Sequence, residues 1–418
     1  MSNETFLDRI NHIKNHLTPT FLHKVVIVSY GRSPIGGFQG SLSSLSAVEI
    51  AAQTIKGVLD KCKLSPDLID EVILGNVISG AIGQAPAKQA ALKAGLPTSV
   101  PCTVVNKVCA SGMKATMIGT QLIQTGAANV VLVGGMESMS NVPYYLNSKA
   151  RTGGLRLGNS ELVDGLMKDG LTDPFGGYPM GVAAEKCSVS EGISKDQQDQ
   201  YALSSYERSI ASHQNQLFSN EIIPIETTNS KKQKITVTVD EEINNVNYKK
   251  LAGLKSVFQK EGGCVTAGNS STLSDGASIL ILMSEQRAKE LQMPIIAYIR
   301  GMADASQEPI LFPTTPALAI PKSLATAGIS LDQVDFFEIN EAFAVVALAN
   351  MKRLQIPISK INMFGGSVSL GHPLGSSGSR ILCTLISVLK HNKASIGVAS
   401  ICNGGGGASS IVIELHKE

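Results

Sequence analysis

This 418-residue chain carries little net charge. Lysine and arginine number 36 against 34 aspartates and glutamates, so the basic footprint of a nucleic-acid-binding domain is absent. No apolar run approaches the roughly 18 residues that suggest a membrane-spanning helix. The seven cysteines, at 62, 102, 109, 187, 264, 383 and 402, include no Cys-x-x-Cys pair. Scattered thiols of odd number argue against a disulfide framework and fit free cysteines in a reducing compartment. Without a local ligand pair, two cysteines and a histidine make a poor zinc site. The glycine run after Cys402 has no Gly-Lys-Ser/Thr ending, which excludes a P-loop. No helix clearly follows it, which disfavours a dinucleotide-binding turn. Neither nucleic acid nor membrane is therefore an expected partner.

The length suits about two or three domains. The first residues form a separate segment. Phe6, Ile10, Ile13 and Leu17 recur at helical spacing around Arg9 and Lys14. A transit peptide would be Arg-rich and poor in acids, yet Glu4 and Asp8 stand here. Residues 1–23 are read as an N-terminal extension, with a cytoplasmic location favoured over a mitochondrial one.

From "KVVIVSYGRSPIG" onward, buried strands alternate with amphipathic helices such as "AVEIAAQTIKGVLDKC", the pattern of an α/β domain. The alternation fades between about 141 and 270, where Gly, Asn, Pro and Tyr accumulate. One good helix, about 195–215, interrupts this stretch. Such a region reads as an insertion that carries binding function. The last third then repeats the first. "QVDFFEINEAF" parallels "LIDEVILGNVI", and "ASIGVASICNGGGGAS" parallels "ANVVLVGGMESMS". The expectation is a duplicated α/β fold, with domains at 24–290 and 291–418.

Four segments carry the chemistry. In "NKVCASGMKA", Cys109 stands at a helix mouth, where free N–H groups and roughly half a positive charge favour a thiolate. In "GGSVSLGHPLGSSG", His372 heads the matching helix of the second half. If the halves pack about a pseudo-two-fold axis the two mouths can face each other, and a His beside a Cys activates a thiol. Cys402 ends a buried strand before four glycines, whose N–H groups can hold an anion or an oxyanion. Asn340, in "NEAF", ends another strand; it reads either as a structural cap or as a donor to a water or an oxyanion.

"NKVCASGMKA", "NMFGGSVSLGHPLGSSGSR", "SICNGGGGAS" and "NEAF" together resemble the signatures of thiolases, over nearly the whole chain from about Lys24. The likeness is greatest to the biosynthetic branch. It implies two βαβαβαββ halves packed in five layers, α-β-α-β-α, with a loop domain inserted in the first half, and assembly as a homodimer or homotetramer. It implies transfer of an acetyl group from acetyl-CoA to Cys109, activated by His372. Cys402 would then take a methyl proton from a second acetyl-CoA, giving acetoacetyl-CoA and CoA. One oxyanion hole would be His372 with a water held by Asn340, the other the N–H groups of Cys109 and Gly404. No organic cofactor is implied. The CoA contacts would be Tyr206, Lys250, Ser271 and Met180, with Asn245, Val246 and Asn247 beside them. Asn245 and Pro179 depart from the family's basic residue and histidine, which weakens the CoA reading. Phe312-Pro313 resembles a pair in a potassium-activated subgroup accepting 2-methyl-branched chains. The potassium ligands there would correspond to Tyr206, Ala267, Gly268, Ser270 and Val368. A degradative 3-ketoacyl-CoA thiolase of wider chain length is the near alternative. A non-catalytic acyl-CoA-binding protein is the distant one.

Overall fold

The computed structural model describes residues 22–146, 149–155, 157–229, 231–251 and 253–417. The expected helical periodicity of the N-terminal extension falls on residues outside this set.

In the first half the chain runs β1 (Val25–Arg32), α1 (Ala47–Cys62), β2 (Glu71–Gly75), α2 (Pro86–Lys93), β3 (Cys102–Val105), α3 (Ser111–Gln124) and β4 (Val130–Ser138). An inserted region follows, with α4 (Met180–Glu191) and α5 (Lys195–Gln214), and β5 (Ser274–Ser284) closes the half. The second half runs β6 (Ala297–Ser306), α6 (Pro316–Ala327), β7 (Phe336–Ile339), α7 (Ala344–Leu354), α8 (Leu374–His391), β8 (Ile396–Asn403) and β9 (Gly407–Leu415). Local chemistry sets these limits. Ser46 and Glu49 form a capping box that opens α1, and Lys63 in the left-handed region closes it, which satisfies helix-end groups that would otherwise be unpaired. β1, β4 and β5 are buried along their whole length, so their sequences are apolar runs rather than alternations.

The strands lie in the order β7-β8-β9-β6-β1-β5-β4-β2-β3, with the two-residue strand Gly36–Gly37 pairing with β5. The halves meet at the centre, where β1 and β6 pair antiparallel through Val26–Tyr298 and Ile27–Ala297. Outward from that seam both sides repeat one pattern. β1 and β6 are antiparallel to β5 and β9, these to β4 and β8, and these are parallel to β2 and β7. β1 slips register between Ile27 and Ser29, and β6 slips at the same place, between Ile299 and Gly301. The sides differ at the outermost strand, where β3 has as its counterpart a single parallel bridge, Phe337–Ile361, and at the short strand Gly36–Gly37 beside β5.

α3 and α8 pack on each other between the halves of the sheet. α1 and α2 cover the outer face of the first half, and α6 and α7 that of the second. This is the expected five-layer arrangement. α8 is buried on every side from Leu374 to Leu389, as a central-layer helix must be. Its close seat depends on glycine: a Cβ on Gly135 of β4 would stand 1.9 Å from the Gly375 carbonyl.

The inserted region is anchored through Arg32 of β1, which is fully buried. Its guanidinium donates to Glu221 at 2.7 Å and to both oxygens of Asp240 at 2.6 and 2.9 Å, and His213 meets Asp240 at 2.8 Å. Planar bidentate pairing of this kind fixes geometry as well as charge. α5 matches its expected span closely. α4 had no sequence signal, because Gly181, Ala183, Ala184 and Cys187 are small buried residues that make no clear apolar stripe.

Candidate active site

Cys109 sits one residue before Ala110, the N-cap of α3, and His372 one residue before Pro373, the N-cap of α8. The two helix mouths are thus equivalent in the duplicated frame. Both side chains line one pocket, together with Gly404, Met180, Ser270 and Ser271. Apart from Thr272, its other walls are apolar, including Phe258, Phe312 and Phe343.

The backbone before Cys109 is strained. Val108 has φ +49°, a left-handed conformation that a β-branched residue rarely adopts. Three hydrogen bonds hold it there. Val108 N–H donates to Asn106 Oδ1 at 3.0 Å, Lys107 N–H to Ser111 Oγ at 2.8 Å, and Ser111 Oγ–H to the Val108 carbonyl at 2.6 Å. Strain of this kind persists only where surrounding bonds over-determine it.

The helix-mouth expectation of a stabilised thiolate needs correction. Burial pushes the Cys109 thiol up to about 12, and the N–H groups of Gly404 and of Cys109 itself only partly offset it. Desolvation disfavours the charged form more than two partial charges favour it. Cys402, fully buried at the end of β8, is also raised, by burial first and then by nearby Cys109. His372 is pushed down to about 3, by burial first and by the Arg380 charge second. The resting site therefore holds two thiols and a neutral imidazole.

Ser377, which the sequence reading did not single out, decides which imidazole nitrogen is free. Its hydroxyl donates to the Pro373 carbonyl at 2.9 Å. That uses its one hydrogen, so at the 2.6 Å contact with His372 Nδ1 the ring must donate and Ser377 Oγ accept. Nε2 is then the unprotonated nitrogen, and it has no hydrogen-bond partner among the described residues. This is a base with its lone pair free. Ser377 lies five residues after His372, over the first turn of the same helix, which is the signal that could have found it. Ser377→Ala is expected to lower kcat about tenfold, the loss of one hydrogen bond of about 1.4 kcal/mol. Steady-state rates at constant melting temperature check this.

Asn340 follows β7 and is buried. Its Oδ1 accepts from Ser367 Oγ at 2.6 Å and from Arg380 Nη2 at 3.4 Å. Its Nδ2 has no partner among the described residues, which leaves a buried donor free for a water or an oxyanion. Beyond Cys402, Gly405 and Gly406 take φ of +82° and +84°. That left-handed turn costs glycine least, and it presents the Gly404 N–H to the pocket.

The remaining expected residues separate into groups. Ser271 Oγ donates to the Ala342 carbonyl at 2.9 Å on the pocket wall. Tyr206 and Val368 share a small buried cluster on which Val246 packs. Ala267, Gly268 and Ser270 belong to one turn, closed by Asn269 N–H on the Thr266 carbonyl and by Ser270 Oγ on the same oxygen at 2.7 Å. Asn245, Asn247 and Lys250 are exposed and do not line the pocket.

Residues 25–286 match the thiolase N-terminal domain family, and residues 293–415 the thiolase C-terminal domain family. Acetyl-CoA acetyltransferase 1 of Arabidopsis thaliana is 51% identical over 395 residues, 94% of this chain and 95% of that protein. The acetyl-CoA acetyltransferase of Schizosaccharomyces pombe is 52% identical over 392 residues, 94% of this chain and 98% of that one. Among solved structures, a thiolase from Ascaris suum in complex with coenzyme A superposes with a TM-score of 0.88 at 39% identity. It covers 94% of this chain and 100% of that chain. The Bacillus anthracis acetyl-CoA acetyltransferase gives 0.91 at 38% identity, covering 94% and 99%. With its duplicated sheet, its paired helix mouths and these relatives, the chain belongs to the thiolase family.

Proposed function

We propose that this chain is an acetyl-CoA acetyltransferase that condenses two acetyl-CoA into acetoacetyl-CoA and CoA, reversibly, through an acetyl group on Cys109. The observation that carries the reading is the meeting of Cys109, His372 and the Gly404 N–H on one apolar pocket. The curated relatives at about half identity, named for that activity, support it.

Each proton has a place in this scheme. Cys109 Sγ attacks the thioester carbon as its proton passes to His372 Nε2. The oxyanion takes the N–H groups of Cys109 and Gly404, donors fixed before the reaction begins. CoA leaves with the proton of Cys402. The site now holds acetyl-Cys109, an imidazolium and a Cys402 thiolate, so each buried charge has an opposite partner. The thiolate takes a methyl proton from the second acetyl-CoA, and the enolate oxygen is held by His372 Nε2–H and a water on Asn340 Nδ2. The enolate carbon attacks the acetyl group. The Cys109 thiolate that leaves recovers its proton from His372, and all three groups return to neutral.

The neutral imidazole has a measurable consequence. His372 keeps its lone pair down to about pH 3, so acetylation of Cys109 should show no acid limb near pH 6.5, where an ordinary imidazole titrates. The sign for stability follows. Between about 3 and 6.5 the unfolded chain binds a proton that the folded chain does not, so this group's contribution is intact above 6.5 and is lost as pH falls. A burst of CoA release measured from pH 5 to 8 checks the first point, and a limb at 6.5 is the contrary result.

The residues proposed for potassium offer hard oxygen donors, the type such a cation takes. Ser270 Oγ keeps its lone pairs, and the carbonyls of Ala267 and Gly268 accept no hydrogen bond among the described residues. A bound cation would stiffen this turn, which continues into Ser271 on the pocket wall. β3, at the end of the sheet, offers the edge through which two copies would pair.

The test is purified protein with acetoacetyl-CoA and CoA, followed by loss of the enolate absorbance. Turnover confined to C4 and 2-methyl-C4 substrates is expected. Equal rates up to C16 would favour a degradative thiolase, and no turnover would remove the proposal.

A further inference from the structure

α8 reaches both partners of the second oxyanion hole proposed above. Ser377, in its first turn, fixes His372. Arg380, one turn on, is 1% exposed and reaches the other partner: Nη2 donates to Asn340 Oδ1 at 3.4 Å and to Ser367 Oγ at 3.0 Å. Ser367 donates in turn to Asn340 Oδ1 at 2.6 Å. We propose that Arg380 is the positioning residue for Asn340: with Ser367 it claims the amide oxygen, so that Nδ2 is the atom left to hold the water or enolate oxygen. The inference rests on the acetyltransferase reading.

Three observations lead to it. First, both hydrogen bonds fall on Oδ1, while Nδ2 is a buried donor with no partner among the described residues. A flipped amide would set its NH2 group against a guanidinium, donor against donor, so a cation at this place selects one orientation. Second, Arg380 is held from behind by Glu338, at 3.9 Å from Nη1. Glu338 lies on β7 two residues before Asn340, hence on the same face of the chain. Third, among the described residues neither oxygen of Glu338 has a hydrogen-bond partner, nor have Nε and Nη1 of Arg380. The pair is therefore not built as a tight structural ion pair. Among the described residues, the side-chain hydrogen bonds of Arg380 run to the Ser367–Asn340 couple.

The two half-reactions separate this role from a structural one. Acetylation of Cys109 uses the Cys109 and Gly404 N–H groups and not Asn340, whereas condensation uses Asn340. Arg380→Met is expected to slow condensation about 10²-fold, near the effect of removing one oxyanion donor. The burst of CoA release from acetyl-CoA should not fall, because removing the Arg380 charge leaves His372 no less basic. In Asn340→Ala, adding R380M should cost little more, because the two residues act as a unit. Arg380→Lys, which keeps the charge but not the planar fork, should fold where R380M does not and show the same split. Equal losses in both half-reactions, or effects of R380M (or R380K) and N340A that multiply, would overturn the proposal. If the parent protein forms no acetyl-enzyme at all, the acetyltransferase reading fails, and that outcome is distinct.

Discussion

Cys109→Ala is expected to abolish both thiolysis and condensation, with a fall in kcat on the order of 10⁵ to 10⁶. No other group can take its place. Cys402 is fully buried and stands at the end of a strand, while Cys109 lines the pocket beside the Gly404 N–H. Alanine removes only a sulfur at a place already shaped by the Val108 turn, whose three hydrogen bonds come from Asn106, Lys107 and Ser111. The variant should therefore fold, with a melting temperature close to the parent's. Residual turnover within a hundredfold of the parent would show that the acyl group travels by another route. Cys109→Ser should do almost as badly, because a hydroxyl yields its proton to an imidazole far less readily than a thiol does.

Cys402→Ala is expected to split the reaction. Its thiolate is the base for the methyl carbon, and loss of a positioned base costs about 10²- to 10⁴-fold. The upper end applies here, because a methyl proton is a poor acid and water is kept from an apolar pocket. The first half-reaction suffers less, since CoA is a good leaving group even without the proton. Acetyl-Cys109 should accumulate to about one equivalent in Cys402→Ala and turn over slowly. A variant that loses acetylation as completely as condensation would show that giving a proton to CoA, rather than taking one from the methyl carbon, is the main task of Cys402.

The duplicated frame was legible in the sequence because each half repeats strand, helix mouth and strand in the same order. The registers bear out the alignment residue by residue. Glu137 pairs with Gly276 as Asn403 pairs with Gly407, so Met136 is the counterpart of Cys402. By the same registers Gly75 is the counterpart of Asn340. Cys109 and His372 share one place in the two halves, and at the other two places the first half holds residues with no chemistry. A symmetric scaffold thus carries one asymmetric site.

What escaped the sequence was set by distance and burial. The helix mouth at Cys109 suggested a thiolate, yet burial reverses the sign of the shift. No local pattern reports how much protein will cover a thiol. Ser377 and Arg380 looked like ordinary residues of an amphipathic helix, because an outer helix would have turned them to water; the central layer buries them instead. α4 went unread for want of an apolar stripe. The exposed Asn245, Asn247 and Lys250 keep the CoA assignments a matter for binding measurements rather than for pocket geometry.

The most direct test of the central claim is to find the acetyl group. Cys402→Ala is incubated with [¹⁴C]acetyl-CoA, quenched in acid, digested and mapped by mass. One acetyl per chain on the peptide carrying Cys109 is the expected result. Label on another residue, or no covalent label while the parent enzyme still turns over, would contradict the account.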